Sequence, residues 1–468
     1  MKYVVFLLAL AGCGRFGFAE QGADGGGHGD GGGSGDGGVA QPLIVPIAGH
    51  AGNAAIDIAF DAAGGFAVTG VYDLTLQLGS ITKTETSAQG SEIYVAAFDA
   101  DGTPRWVWSG GASVLASGQS VAWLPDGRVY ATGYFASTLA NANNIDAGGG
   151  QDALQVWLTP AGALDNATHA GGGANVQTRG MAVYDSEIAF GGIYSSTVDF
   201  GPGPLTTTGA GIDNAFLNAG DVVNGVTQSK SFNGGNDVFI NDVAIDAAGR
   251  VCITGRFNAT TDFGGGPIGP PGVSSGFVAR FDPGLTYAWA RELDYANMQA
   301  VGFATNGDCI ASGFANGAFT IDTLSVPNTG DTDGFVIRFA DANGHAEWVQ
   351  TIAGAGPDTV YSLVPYDLDR VAIAGFYTGS AMVAGMPEVS DGTADGFVIG
   401  LDKDGTVLWR QPLAGSGAVE DSLSGMSVDV VRRKLGVAGE FTGDLQVGTA
   451  MQTATEDTGF ALVLPLPP

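Results

Sequence analysis

Asp333–Trp348 reads D-G-F-V-I-R-F-A-D-A-N-G-H-A-E-W. Apolar residues crowd its first half, Asx residues and a Gly form its middle, and a Trp closes it. That pattern predicts a strand, a tight turn and a second strand. Near-copies stand at Tyr94–Trp106 (Y-V-A-A-F-D-A-D-G-T-P-R-W), Phe277–Trp289 (F-V-A-R-F-D-P-G-L-T-Y-A-W) and Phe397–Trp409 (F-V-I-G-L-D-K-D-G-T-V-L-W). In each, an Asp precedes the Trp by seven residues with a Gly between them.

Working outward, each hairpin belongs to a longer unit. A short strand such as A-I-D-I-A-F-D (Ala55–Asp61) leads through a tight turn to a strand ending in Gly. Those terminal glycines are Gly70, Gly133, Gly192, Gly255, Gly313, Gly375 and Gly439, about 60 residues apart. A polar connection follows, then the hairpin. Each unit is thus four short strands in an up-and-down meander, too small to bury both of its faces. Radial stacking of such sheets solves that problem. The reading is an all-β, seven-bladed β-propeller of four-stranded antiparallel blades over 42–468. Leu43–Gly49 (L-I-V-P-I-A-G) matches the fourth strands W-V-Q-T-I-A-G and W-R-Q-P-L-A-G, while the last unit ends after three strands. The N-terminal strand is therefore expected to complete the last blade and close the ring.

The G-F-V, D-x-x-G and Trp positions resemble the bacterial seven-bladed propeller repeat (SBBP) type, a likeness that spans about 43–468 and is diffuse. The second and third units depart most. Asn166 takes the Trp position, and Asn218–Lys230 has no clear equivalent. The repeat lacks the signatures of WD40 and kelch repeats.

At the N-terminus, Lys2 precedes the apolar run Tyr3–Ala11, too short to span a bilayer and suited to an export signal. Leu10-Ala11-Gly12-Cys13 resembles the lipobox of bacterial lipoproteins. That resemblance implies a signal peptide over 1–12, lipidation of Cys13 and, with Gly14 next, an outer-membrane or cell-surface address. The competing reading is an ordinary secretory signal cut near Phe18-Ala19. Residues 13–41 then form a Gly-rich linker with a typical span of ~30 Å, in which a lone His28 is a solubilising residue.

The net charge of −30 argues against nucleic acid and against adhesion to anionic lipid by charge, leaving a lipid anchor as the membrane link. Three cysteines are too few for a disulfide scaffold. Cys252 and Cys309 fall on second strands of neighbouring units, offset by one residue from the preceding glycines. Alternation would point them to opposite faces of adjacent sheets, where an interblade disulfide is one outcome and two buried thiols the other.

Short turns trim one face of the disc, and long connections load the other, which is the expected binding face. Around the axis stand Asp57, Gln119, Arg179, Asn241, Asp242, Gln299, Tyr361 and Ser362. Asp57, Arg179, Asp242 and Tyr361 are the candidate binding residues, and a polar rim around a wet channel is the competing reading. The D-x-D-G and D-x-N-G turns invite Ca²⁺ but lack an EF-hand's further ligands, so hairpin chemistry is the better account. His50, His169 and His345 have no metal-ligand spacing, and no nucleophile elbow or phosphate-binding loop appears. The expectation is a monomeric, exported, non-enzymatic binding or scaffolding module for a protein or glycan, without cofactor. The D-x-x-G-x-x-x-W hairpin also resembles the docking motif of quinoprotein-type propellers, which implies an outer-membrane assembly role as an alternative. A glycan lyase or glycosidase is the third reading.

Overall fold

The computed structural model describes residues 41–467 except 51, 86–89, 113, 174, 208, 210–211, 270–273, 391–393 and 416–421. The signal, Cys13 and the Gly-rich linker up to residue 40 lie outside the described residues. Among the described residues no helix is long and apolar enough to cross a membrane.

The chain is a β-propeller. Antiparallel four-strand meanders follow one another, and the first strand of each packs beside the first strand of the next around a central axis. The first meander is Ala54–Phe60, Phe66–Tyr72, Glu92–Phe98 and Pro104–Gly111, paired in that order. Its second and third strands are buried at every residue. They are covered by a neighbouring sheet on each face, so they read as apolar runs instead of alternating.

The expectation of seven separate four-stranded blades is corrected. Five blades stand as separate sheets, and the fifth of these, from Ala296–Phe303 to Ala346–Gly354, gains the hairpin Ser380–Val383/Met386–Val389 to become six-stranded. All remaining meander strands, from Thr359 to Pro465, join Leu43–Gly49 and the hairpin Thr75–Leu78/Ile81–Thr84 in one ten-stranded sheet. The fusion has a local cause. The I-A-G or L-A-G tail of an outer strand runs past its own meander and pairs with the next unit's upper hairpin. Ile352–Gly354 pairs with Ala381–Val383, Ala414–Gly415 with Leu445–Gln446, and Ala48–Gly49 with Leu76–Gln77. The connections that read as polar loops are largely these hairpins.

Leu43–Gly49 lies antiparallel to Ala450–Pro465, with Leu43 opposite Val463 and Ile47 opposite Gly459. Ile47 is fully buried. The first and last strands of the described residues thus share one sheet, against which Ala54–Phe60 packs.

The repeated turn and Trp work as a latch between units. Trp106, Trp289 and Trp348 each donate their indole N–H to a carbonyl in the next unit's turn, Pro160 (3.0 Å), Asp341 (2.9 Å) and Lys403 (2.8 Å). The ring lies over that turn's Gly. A methyl on Gly162, Gly344 or Gly405 would approach the indole to 2.3, 2.6 or 2.8 Å, and all three have positive φ. Only glycine satisfies both demands. The turn Asp is hairpin chemistry: Asp402 Oδ1 accepts the N–H groups of Asp404 and Thr406. Trp409 departs from the pattern and donates to Tyr366 Oη (3.1 Å).

Cys252 and Cys309 are brought together as an interblade disulfide, Cα atoms 6.5 Å apart. Both are fully buried in one apolar cluster with Val278 and Val301. A crosslink over 57 residues restricts the unfolded chain by about 4 kcal/mol in the chain-entropy account.

Candidate functional site at the axis

Every first strand carries one β-bulge at the same place. The register slips at Ala55/Asp57, Gly118/Ser120, Thr178/Gly180, Ile240/Asp242, Met298/Ala300, Val360/Ser362 and Leu423/Gly425. A bulge leaves one residue out of the ladder and re-aims its side chain. The residues left out include Gln119, Arg179, Asn241, Gln299 and Tyr361, so the polar set seen in the sequence is largely a set of bulges.

Asp57 and Asp242 occupy the position after the bulge, and the structure gives them a different role from ligand binding. Asp57 Oδ1 accepts the N–H of Ile58 and Oδ2 that of Val121 in the next blade, both at 2.9 Å. Asp242 repeats this with Val243 and Val301, both at 2.8 Å. Ser362 Oγ donates to Leu423 O across its own junction (3.0 Å). These are fully buried clasps between blades. Tyr361 is half-buried with its ring 5.7 Å from Phe376. Asn241 Nδ2 donates to Asn297 Oδ1 and Met298 O in the following blade. Gln299 is fully buried, and neither amide atom has a hydrogen-bond partner among the described residues.

Arg179 is set apart by its surroundings. Its guanidinium carbon lies 5.5 Å from the Phe239 ring centre, and that of Arg256 lies 4.2 Å from the same ring. Arg179 donates one N–H to Gln177 Oε1 (3.2 Å), and Gln177 donates in turn to Gln151 (2.6 Å). Its Nε is buried without a partner. Among the described residues neither guanidinium forms an ion pair. Arg105, Arg128, Arg250, Arg280, Arg291, Arg338, Arg410, Arg432 and Arg433 all do. Burial pushes Arg179 down to about 10, with Arg256 adding to the effect and Tyr134 and Asp213 opposing it. Arg256 is lowered by burial against the pull of Asp237 and Asp213. Asp213 is raised by burial and by Asp237, despite both arginines. Arg179 still carries its charge at neutral pH, so two incompletely compensated cations face one aromatic ring.

Sequence reading singled out Arg179 but missed Arg256 and Phe239. Arg256 follows Gly255, one of the period-marking glycines, and Phe239 lies two residues before the bulge at Asn241. Their placement at the ends of a second and a first strand was a signal of nearness to the loaded face. Their meeting with Arg179 required the neighbouring blade. Among the described residues no group of three or more His, Cys, Asp or Glu converges as metal ligands would.

The geometry is that of a β-propeller in which two guanidinium groups, one from each of two neighbouring blades, face one phenylalanine ring. No protein-family model and no curated protein matches the chain. The chain is similar to the solved Dos1 propeller, at 10% identity over 89% of this chain and 95% of that one, TM-score 0.43. It is similar to YCF48 bound to D1 peptide, at 9% identity over 92% and 97%, TM-score 0.41. The quinohemoprotein alcohol dehydrogenase of Comamonas testosteroni is a further likeness, at 10% identity over 88% and 77%, TM-score 0.40. At these values the likeness concerns architecture and carries no function across.

Proposed function

We propose that the protein is an exported binding module, tethered to the cell envelope through Cys13, that takes an anionic group of a protein or glycan ligand at its axis. One observation carries the reading: among the described residues Arg179 and Arg256 share Phe239 without forming an ion pair, in a chain of net charge −30. A guanidinium pair held this way offers several N–H donors in fixed planes, which suits a carboxylate. Desolvated charge without a partner destabilises a fold, and a ligand anion would offset that cost.

The test is calorimetric titration of the intact protein with citrate, galacturonate and peptides bearing free C-termini. At least one is expected to bind, and Arg179→Gln with Arg256→Gln to weaken it at least tenfold. Unchanged binding in the double variant would overturn the reading. The tether has its own test, incorporation of labelled palmitate that disappears in Cys13→Ser.

A further inference from the structure

The latch is missing at the junction between the second and third blades. The second blade has Asn166 at the position that Trp106, Trp289, Trp348 and Trp409 take in other units, opposite Trp157 in its sheet. On the third blade, a methyl on the turn residue Gly225 would meet nothing within 4 Å. The wedge between these two blades is open as a cleft of about 640 Å³. One wall is the outer strand Leu164–Ala170 with Trp157 beside it. The other is Phe200 and the turn Val222–Val226 of the third blade.

The chemistry of the walls is close to neutral and rich in hydrogen-bonding groups. Arg128 is compensated by Asp126 (2.8 Å) and Asp165 (3.0 Å). Asp199 Oδ1 accepts the N–H groups of Gly201 (2.8 Å) and Gly203 (3.1 Å). His169 Nδ1 lies 2.6 Å from Oδ2 of Asp152, a carboxylate only 1% exposed that also accepts the Gly172 N–H. The imidazole edge is further packed on Phe135. A carboxylate on Nδ1 places the proton of a neutral ring there and leaves Nε2 as an oriented acceptor. Trp157 is buried against Tyr130, and its indole N–H has no partner among the described residues.

We infer that this cleft is a binding site for a neutral oligosaccharide, separate from the axial site. An anion would meet Asp165 and Asp199, and a cation would find both already engaged. A chain of hydroxyls can donate a hydrogen bond to His169 Nε2 and exchange hydrogen bonds with Asn166 and Thr168. Its C–H faces can lie on Phe200 and Trp157. The volume falls within the usual range for ligand sites.

The experiment titrates the intact protein with cellotetraose, maltotetraose, mannotetraose and chitotetraose, following heat and Trp fluorescence. At least one is expected to bind. Asn166→Trp, which restores the latch and fills the wedge, should lose that binding at least tenfold while its unfolding midpoint stays at or above that of the native protein. His169→Ala should weaken binding at least fivefold, which keeps the test decisive even if Asn166→Trp misfolds. Arg179→Gln should bind as the native protein does. Absence of binding by all four sugars overturns the inference. So does binding that survives both cleft variants, or binding lost only in Arg179→Gln.

Discussion

Asp358 shows how a residue's chemistry is decided by what surrounds it. It is fully buried, its Oδ1 accepts the Thr378 N–H (3.0 Å), and among the described residues Oδ2 has no partner within hydrogen-bond geometry. Burial pushes it up to about 7; the Thr378 N–H acts in the opposite sense, and the charge of Asp333 adds to the rise. Between the unfolded value near 4 and about 7, the native state holds a proton that the unfolded chain releases. Stability from this group is therefore present at low pH and lost as pH rises through that window. Asp358→Asn should unfold at higher urea concentration than the native protein at pH 8. The difference should shrink by about 3 kcal/mol at pH 5. A difference independent of pH would show that Asp358 does not titrate as described. At this scale the sequence was only partly legible. Arg179 stood out as a lone cation, but Asp57 and Asp242 resembled it in position and turned out to hold backbone N–H groups of the next blade.

At the scale of the element, the hairpin of Asp333–Trp348 gains its meaning from the unit beside it. Trp289 is 5% exposed and its ring covers Gly344 of the following turn. Trp289→Ala should destabilise the protein by about 3–5 kcal/mol, since a large buried ring leaves a cavity that rigid sheets cannot collapse into. The loss is measurable as a fall in the denaturant midpoint with an unchanged slope. Asn166→Ala, at the same place in the second blade, should change stability by less than about 0.5 kcal/mol. Equal losses at the two sites would contradict the latch. Strand identity was legible for most of the meander, because apolar runs and Asx-Gly turns are local; Asn218–Lys230, the third blade's outer hairpin, lacked both the Trp and the usual turn and had no clear equivalent. The upper hairpins were not legible, because short segments such as Val198–Asp199 and Thr261–Asp262 have no room for a periodic pattern.

For the whole molecule, Leu43–Gly49 joins the beginning of the described chain to its end. Deleting those residues uncovers the edge of Ala450–Pro465 and removes Val45, whose side chain would lie 2.6 Å from a methyl on Gly102. The thermal midpoint is expected to fall by more than 10 °C. A smaller change would mean that the first blade and the ten-stranded sheet hold together without it. Reduction of Cys252–Cys309 acts elsewhere on the ring and should lower the midpoint independently of that deletion, since the two sites share no partner.

The amino-acid sequence by itself determined the all-β meander, its period, the hairpin chemistry of the Asp and Gly turns, and the kinship of Leu43–Gly49 with the outer strands. All of these rest on patterns within a few residues or on self-similarity along the chain. The tertiary structure decided which units stay separate sheets and which fuse, because that depends on how far an outer strand's tail reaches toward its neighbour. It also decided that Asp57 and Asp242 are clasps, that Arg179 meets Arg256 over Phe239, and that the wedge beside Asn166 is open. Each of these is a relation between adjacent blades, residues about 60 positions apart in the chain. A hydrogen bond or ring contact across that distance is set by the packing of two sheets, which no local pattern encodes.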